Sequence, residues 1–299
     1  HSRGFGARLD YGPKVGRLIQ PARRIRTMVL HCLDGKCVAE ASAVLPADSA
    51  LVRFGEGWFE TLRIERDRAM FLEAHRTRLH RAVQAAGYDS EEPLQLFDAT
   101  AAALVAAHRE HVSLGEETST IGRLRILLTP RDSGGWSALG RCEPYAPPVQ
   151  AYRLGLRVSI ASLPHPQWGR IGKSASYHWS RYAQRQVEAR GADEALLARE
   201  GVLIEAASAA LLWREGGQWY TSEGRGELPS VTLAELRQAG VNIGAGVLRE
   251  TALPRLQALC LVSALRLVVA VREVDALSLP EATVEAQSLR KLLLARHDA

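Results

Sequence analysis

The chain has 299 residues, 46% of them hydrophobic and 24% charged, with a formal net charge of +5. That length exceeds one small core and predicts two domains, and the composition excludes disordered and fibrous classes. The positive charge is dispersed, with no basic block and no interleaved aromatics, so nucleic-acid binding is not predicted; a spread positive field suits the collection of small acidic molecules.

Residues 1–27 lack the apolar core of a signal peptide and read as a loosely attached arm or a cloning remnant. Residues 28–33 and 36–41 read as a hairpin, because Asp34-Gly35 supplies the positive φ angles of a two-residue turn. Gly55 and Gly57 precede an aromatic strand that turns at Asp67-Arg68 into residues 69–72. This is either a plain hairpin or backbone held close to another segment.

Residues 73–86 read as a helix by period, with Leu72, Leu79, Val83 and Ala86 on one stripe and Gly87 as its stop. His75 and Arg78 share a face of that helix, and Arg78 is either a snorkelling surface residue or a phosphate ligand. A second helix spans 92–111, where His108, Glu110 and His111 lack further ligands for a metal and read as a solvated helix end. Residues 122–131 form a strand with Arg123 and Arg125 on the side opposite Leu124 and Ile126, and Gly134-Gly135 form a loop. Tyr145 to Pro148 reads as a linker stiffened by two prolines.

The second half opens with a strand at 156–161 and reaches Lys173 through Pro164, Pro166 and Gly169. Gly172-Lys173-Ser174 invites a P-loop reading, but that motif needs glycine where Gln167 stands, so nucleotide binding by that route is not predicted. A helix at 182–190, strands at 195–198 and 202–205, and a hairpin at 209–214 and 219–221 follow. A helix then opens after Leu228-Pro229-Ser230, where Thr232 and Glu235 have capping-box spacing and the free N–H groups offer an anion site.

No apolar run approaches the ~20 residues that span a bilayer. The longest, 258–271, is interrupted by Ser263 and Arg266 and reads as a buried strand pair. Cys32, Cys37, Cys142 and Cys260 have neither zinc-finger nor disulfide-framework spacing, which predicts no metal site and a reduced, cytoplasmic setting.

Only four of the 38 basic residues are lysine: Lys14, Lys36, Lys173 and Lys291. Arginine cannot form an imine, and of these lysines Lys173 alone has interior context. A lysine at a strand end, with Glu205 returned by a hairpin, can form a Schiff base with an aldehyde cofactor while the carboxylate keeps a pyridine nitrogen protonated.

On these residues the chain resembles the fold-type IV pyridoxal-phosphate enzymes, the class IV aminotransferase family, which includes D-amino-acid and branched-chain aminotransferases and aminodeoxychorismate lyase. The resemblance runs from about residue 28 to the C-terminus. It rests on Gly55 to Thr61 with His75 to Leu79, on Lys173 to Tyr177, on Gly191 to Ala195 followed by Glu205, and on Leu228 to Thr232. It implies an α/β (α+β) two-domain fold, with a small N-terminal domain at 28–144, a linker at 145–151 and a larger cofactor-binding domain at 152–299. Pyridoxal 5'-phosphate is expected between the two domains, in a homodimer.

Carried over residue by residue, Lys173 is the expected Schiff-base lysine that also moves the α-proton. Tyr177 is expected near the cofactor's phenolic oxygen, Glu205 on its pyridine nitrogen, and Arg78 on its phosphate with Val231 and Thr232. Ser263 and Ala264 match a further phosphate contact, the alanine through its N–H alone. The chain departs from the family at Ala210, usually asparagine, at Leu233, commonly arginine, at Ser230, usually glycine, and at Val269-Ala270-Val271.

The loop from Thr129 to Trp136 is similar to the Gly-Gly loop of the lyases, so the first expectation is a lyase that releases pyruvate and forms 4-aminobenzoate. Phe59, Arg125 and Arg131 are the expected contacts to a small anionic amine substrate. A class IV aminotransferase acting on branched-chain or D-amino acids is the second expectation. A member that has lost turnover and serves as a binding module is the third.

Overall fold

The computed structural model describes residues 29–115, 119–162 and 172–298. The expected arm at 1–27, Met28, and the approach to Lys173 through Pro164, Pro166, Gln167 and Gly169 lie outside the described residues.

Two β-sheets organise the chain. In spatial order the first sheet runs Lys36–Val38, Leu30–Leu33, Trp136–Pro144, Gly122–Pro130, Trp58–Glu65 and Arg68–Ala69, and every pairing is antiparallel. Asp34 and Gly35, at φ 48° and 81°, make the two-residue turn that the sequence predicts. Alternation along the strands sends Leu62, Ile64, Leu124 and Ile126 into one core, where they meet Leu79 and Val83 of the helix Leu72–Ala85 and Phe97 and Leu104 of the helix Glu92–Ser113. Each of these large side chains is essentially inaccessible, and burying one contributes about 1.5–3 kcal/mol.

The second sheet runs Ile243–Gly246, Gln218–Ser222, Ala210–Glu215, Ala258–Ser263, Leu267–Val274, Leu156–Ser162, Glu194–Arg199, Val202–Ala206 and Leu248–Arg249, with Leu277–Ser278 paired to Leu267–Val274. Its centre is the apolar pair Ala258–Ser263 and Leu267–Val274, and the helix Thr283–Asp298 seals one face with Leu289 and Leu293. The first sheet ends at Pro144 and the second begins at Leu156, with the short helix Val149–Leu154 between them.

Several elements differ from the sequence expectation. The strand Trp136–Pro144, for which the sequence reading gave no element beyond the loop that ends at Trp136, sits inside the first sheet; its Ser137, Gly140, Arg141 and Pro144 carry no strand signature. Gly140 is needed for packing, because a Cβ there would lie 2.4 Å from Thr100 and 2.6 Å from Leu104 of the helix above it. Leu72, expected both to close the strand 69–72 and to share the helical stripe, begins the helix, and the helix expected at 182–190 begins earlier, at His178. The helices Ala50–Phe54 and Thr283–Asp298 and the strand Ile243–Gly246 were not foreseen.

Candidate active site

The segment carrying Lys173 is strapped to the edge of the first sheet. Phe59 N–H donates to the Lys173 carbonyl at 2.9 Å, Ala175 N–H donates to the Gly57 carbonyl at 2.8 Å, and Trp58 faces Ser174 across an antiparallel bridge. Of the two readings of Gly55 and Gly57, close backbone approach is therefore the correct one: Ser176 Oγ donates to the Gly55 carbonyl, and a Cβ on Gly57 would stand 2.8 Å from the Leu128 carbonyl oxygen. Gly172 adopts φ +65°, and a Cβ there would fall 2.1 Å from Ala82 Cβ. Glycine at that position lets the lysine segment lie flat against the helix Leu72–Ala85.

A cavity of about 630 Å³ opens beside Lys173, a volume suited to a small-molecule ligand. Phe59 and Arg125 come to its wall from the first sheet, Arg78 from the helix below, and Glu205, Thr232 and Ser263 from the second half of the chain. The structure thus brings together Phe59, Arg78, Arg125, Lys173, Tyr177, Glu205, Val231, Thr232, Ser263 and Ala264, all expected from the sequence.

Arg131 is the exception. It does not line the cavity but bridges to Ser49 at the end of the Gly122–Pro130 strand, with its guanidinium and the Glu92 carboxylate flanking Gly135. The strand outlasts the point where the cavity wall ends, and this carries Arg131 past it.

The Lys173 amine lies 4.9 Å from the centre of the Phe59 ring and 5.3 Å from that of Tyr177. Burial, with the nearby Arg78 and Arg125 charges, brings its pKa down to about 8 against the opposing pull of Glu60 and Glu205. Phe59 is clasped between Arg125, 3.9 Å over its ring, and Tyr177, whose ring meets it edge-on at 5.5 Å. The Tyr177 hydroxyl donates to the Ala207 carbonyl. Glu205 is buried, and one of its oxygens accepts the Leu228 N–H at 3.1 Å.

Arg78 is a built-in cation, not a snorkelling surface residue. Its Nε and Nη2 donate to the two oxygens of Glu60 at 2.9 and 2.5 Å, and its Nη1 donates to the Pro229 carbonyl at 2.8 Å. Three of its five N–H bonds are thereby committed, and two stay available to a ligand. Glu60 is 1% exposed; burial alone would raise its pKa, yet Arg78 and His75 outweigh that and hold it at about 2. His75 Nδ1 lies 2.7 Å from the same carboxylate. Burial keeps this imidazole below its ordinary pKa, so the neutral ring donates Nδ1–H to an oxygen that can only accept.

Sequence reasoning placed Glu60 and His75 in a motif but gave them no role. The available signal was their company: an acid alternating with Phe59 and Thr61 on an aromatic strand, on the face it shares with Leu62 and Ile64, opposite a helix face bearing His75 and Arg78.

Two further corrections concern helix ends. Ser230, not Thr232, caps the helix Val231–Gln238 by accepting the Leu233 N–H, and Glu235 instead accepts from Arg296. The N–H groups of Val231 and Thr232 are then the first-turn donors without intrahelical partners, at the cavity wall. His108 is not solvated but 3% exposed, packed beneath Gly122. Among the described residues no group of three metal-ligating side chains occurs, and no helix is long and apolar enough to cross a membrane.

A profile of the amino-transferase class IV family matches residues 57–274. Among solved structures, the chain is similar to a hypothetical aminotransferase from Mycobacterium tuberculosis in its PLP-bound form, at 22% identity and TM-score 0.76, covering 90% of this chain and 98% of that one. It is similar to a fold IV transaminase from Curtobacterium pusillum at 20% identity and TM-score 0.77, covering 90% and 98%. It is also similar to a 4-amino-4-deoxychorismate lyase candidate from Legionella pneumophila at 20% identity and TM-score 0.70, covering 86% and 97%. No curated protein matches.

Proposed function

The chain belongs to the class IV aminotransferase family of pyridoxal-phosphate enzymes, and from that premise we propose that it is a lyase acting on 4-amino-4-deoxychorismate, releasing pyruvate and leaving 4-aminobenzoate. The donor set around the cavity fits the cofactor. Lys173 offers a partly neutral amine to the aldehyde, and Glu205 a buried carboxylate to the ring nitrogen. The phosphate fits the two uncommitted N–H bonds of Arg78, the first-turn N–H groups of Val231 and Thr232, and the Ser263-Ala264 segment. Pyridoxal phosphate, when bound, supplies an electron-withdrawing ring that stabilises a carbanion at the carbon bearing the substrate amine.

The protein groups divide the remaining work. Glu60 fixes the Arg78 guanidinium by a two-point contact and carries the countercharge that a buried cation needs. In the ligand-free site the Lys173 amine has a pKa of about 8, which leaves about a quarter of it unprotonated at pH 7.5. It therefore takes the proton from the carbon bearing the substrate amine and can return it elsewhere. Phe59 and Tyr177 wall the amine and limit water at the reacting side.

The single observation that carries the lyase reading is the cationic cavity mouth around Arg125, which suits a substrate with two carboxylates. An aminotransferase acting on branched-chain or D-amino acids is the second reading, favoured by the family match itself. Incubating the holoenzyme with 4-amino-4-deoxychorismate and following 4-aminobenzoate and pyruvate tests the choice. Stoichiometric formation of both supports the lyase, whereas their absence alongside amino-group transfer between amino and keto acids supports the second reading.

A further inference from the structure

The helix His178–Glu188 presents a complete face to the cavity. Tyr177 at its cap, Ser180, Arg181 and Gln184 follow i, i+3, i+4, i+7 spacing, and all four line the wall. Gln184 is committed, since its carbonyl accepts the Ala195 N–H and its amide donates to Glu188 and to the Asp193 carbonyl. Arg181 forms no ion pair among the described residues.

Across the cavity stand Arg123, Arg125 and Arg141, from adjacent strands in the first sheet with Arg125 directly opposite Arg141. Glu143 accepts from both Arg123 and Arg141, so one carboxylate serves two guanidinium groups. Arg266, on the far wall, is taken up by Glu194 and Ser208. Arg125 makes no ion pair among the described residues; its guanidinium lies over the Phe59 ring. Its neighbours Arg123, Arg181 and Arg141 all repel it, and, after burial, they contribute to lowering its pKa.

Of these four guanidinium groups at the cavity, Arg123 and Arg141 thus share one carboxylate, and Arg125 and Arg181 pair with none among the described residues. Such an arrangement stores repulsion that a bound anion relieves, and planar guanidinium pairs match carboxylates bidentately. We propose that Arg125 from the first sheet and Arg181 from the helix His178–Glu188, both lining the cavity, form a subsite for the second carboxylate of a dicarboxylate substrate, and that this subsite selects dicarboxylates over monocarboxylates. Arg181 takes the role that the sequence gave to Arg131. The inference rests on the cavity being the substrate site of a pyridoxal-phosphate enzyme, and it does not depend on which bond is broken there.

The test is calorimetric titration of the holoenzyme with glutarate and with butyrate at about 0.15 M ionic strength, repeated on Arg181→Gln, Arg125→Gln and Arg185→Gln. Arg185 lies on the same helix and does not line the cavity, so its variant removes the same charge without touching the subsite. The expected result is at least tenfold tighter binding of glutarate than of butyrate, with the preference falling below threefold in Arg181→Gln and Arg125→Gln and persisting in Arg185→Gln. Equal binding of the two acids by the unaltered protein, or equal loss in Arg185→Gln and Arg181→Gln, overturns the proposal. A preference that survives both cavity variants also overturns it.

Failure of the lyase reading looks different. There, glutarate discrimination persists while 4-aminobenzoate is not formed.

Discussion

Replacing Glu60 by glutamine isolates the buried pair that holds Arg78 at the cavity wall. The substitution preserves size and leaves an amide that can still accept from Arg78, but it removes the charge. In the folded protein Glu60 is held at about 2 instead of its ordinary 4.5. That difference corresponds to about 3 kcal/mol of net stabilisation, the cost of burial already offset by Arg78 and His75, within the ~3–5 kcal/mol range for breaking a buried ion pair from one side. Urea denaturation of the apoprotein at pH 7 is therefore expected to show Glu60→Gln less stable by about 3 kcal/mol.

The pH dependence fixes the sign. A carboxylate whose folded pKa is depressed contributes stability that is fully present above 4.5 and is lost as pH falls through 4.5 toward 2. The gap between the two proteins should hold from pH 7 to 5 and close below that. Added pyridoxal phosphate should recover part of the loss, because an anion near Arg78 replaces the missing charge. A gap below about 1 kcal/mol, the size of an ordinary exposed pair, would refute the role assigned to Glu60.

Capture of pyridoxal phosphate by the apoprotein should speed up with pH through a midpoint near 8, since only neutral Lys173 is nucleophilic, and should vanish in Lys173→Ala. Stopped-flow absorbance checks this, and a midpoint near the ordinary lysine value contradicts it. Gly172→Ala should abolish that capture, because φ +65° and a contact at 2.1 Å with Ala82 both oppose a side chain there. Pairing it with Ala82→Gly should restore some capture, relieving the clash but not the backbone strain. Arg131→Ala should change KM less than twofold in steady-state assays with the substrate that proves active, since Arg131 stands away from the cavity.

The cofactor end of the site was legible because its chemistry is scarce. With four lysines in the chain, only Lys173 had interior context, and Arg78, Glu205 and Thr232 could be ordered around it, although Lys173 lies in an irregular segment bridged to Trp58 at Ser174 and not at the strand end that was expected. What escaped was what depends on register and on neighbours distant in sequence. Trp136–Pro144 has the composition of a loop, yet pairing with Gly122–Pro130 on one side and Leu30–Leu33 on the other makes it a strand, and Gly140 is there to admit a helix. Arg131 was assigned by proximity to a motif, while Arg181 was hidden in a helix whose start was placed four residues late. Glu60 reads as one more acid until the helix Leu72–Ala85 folds back and sets His75 and Arg78 against it.

The Lys173 amine is depressed first by its own burial, and the same arginines that make the cavity mouth attractive to anions, Arg78 and Arg125, add to that. The two effects are therefore linked. An anion that settles on Arg125 cancels part of the field that keeps Lys173 neutral, so the lysine becomes a stronger base when substrate fills the subsite and a better nucleophile when it is empty. The sign follows from removing a nearby positive influence: the Lys173 pKa rises above 8 with the anion bound. Cofactor capture measured in saturating glutarate should accordingly show its pH midpoint displaced upward by at least half a unit, with no displacement in Arg125→Gln. A midpoint that stays fixed in glutarate, or moves down, would separate substrate attraction from lysine activation and leave the two sets of arginines with independent duties.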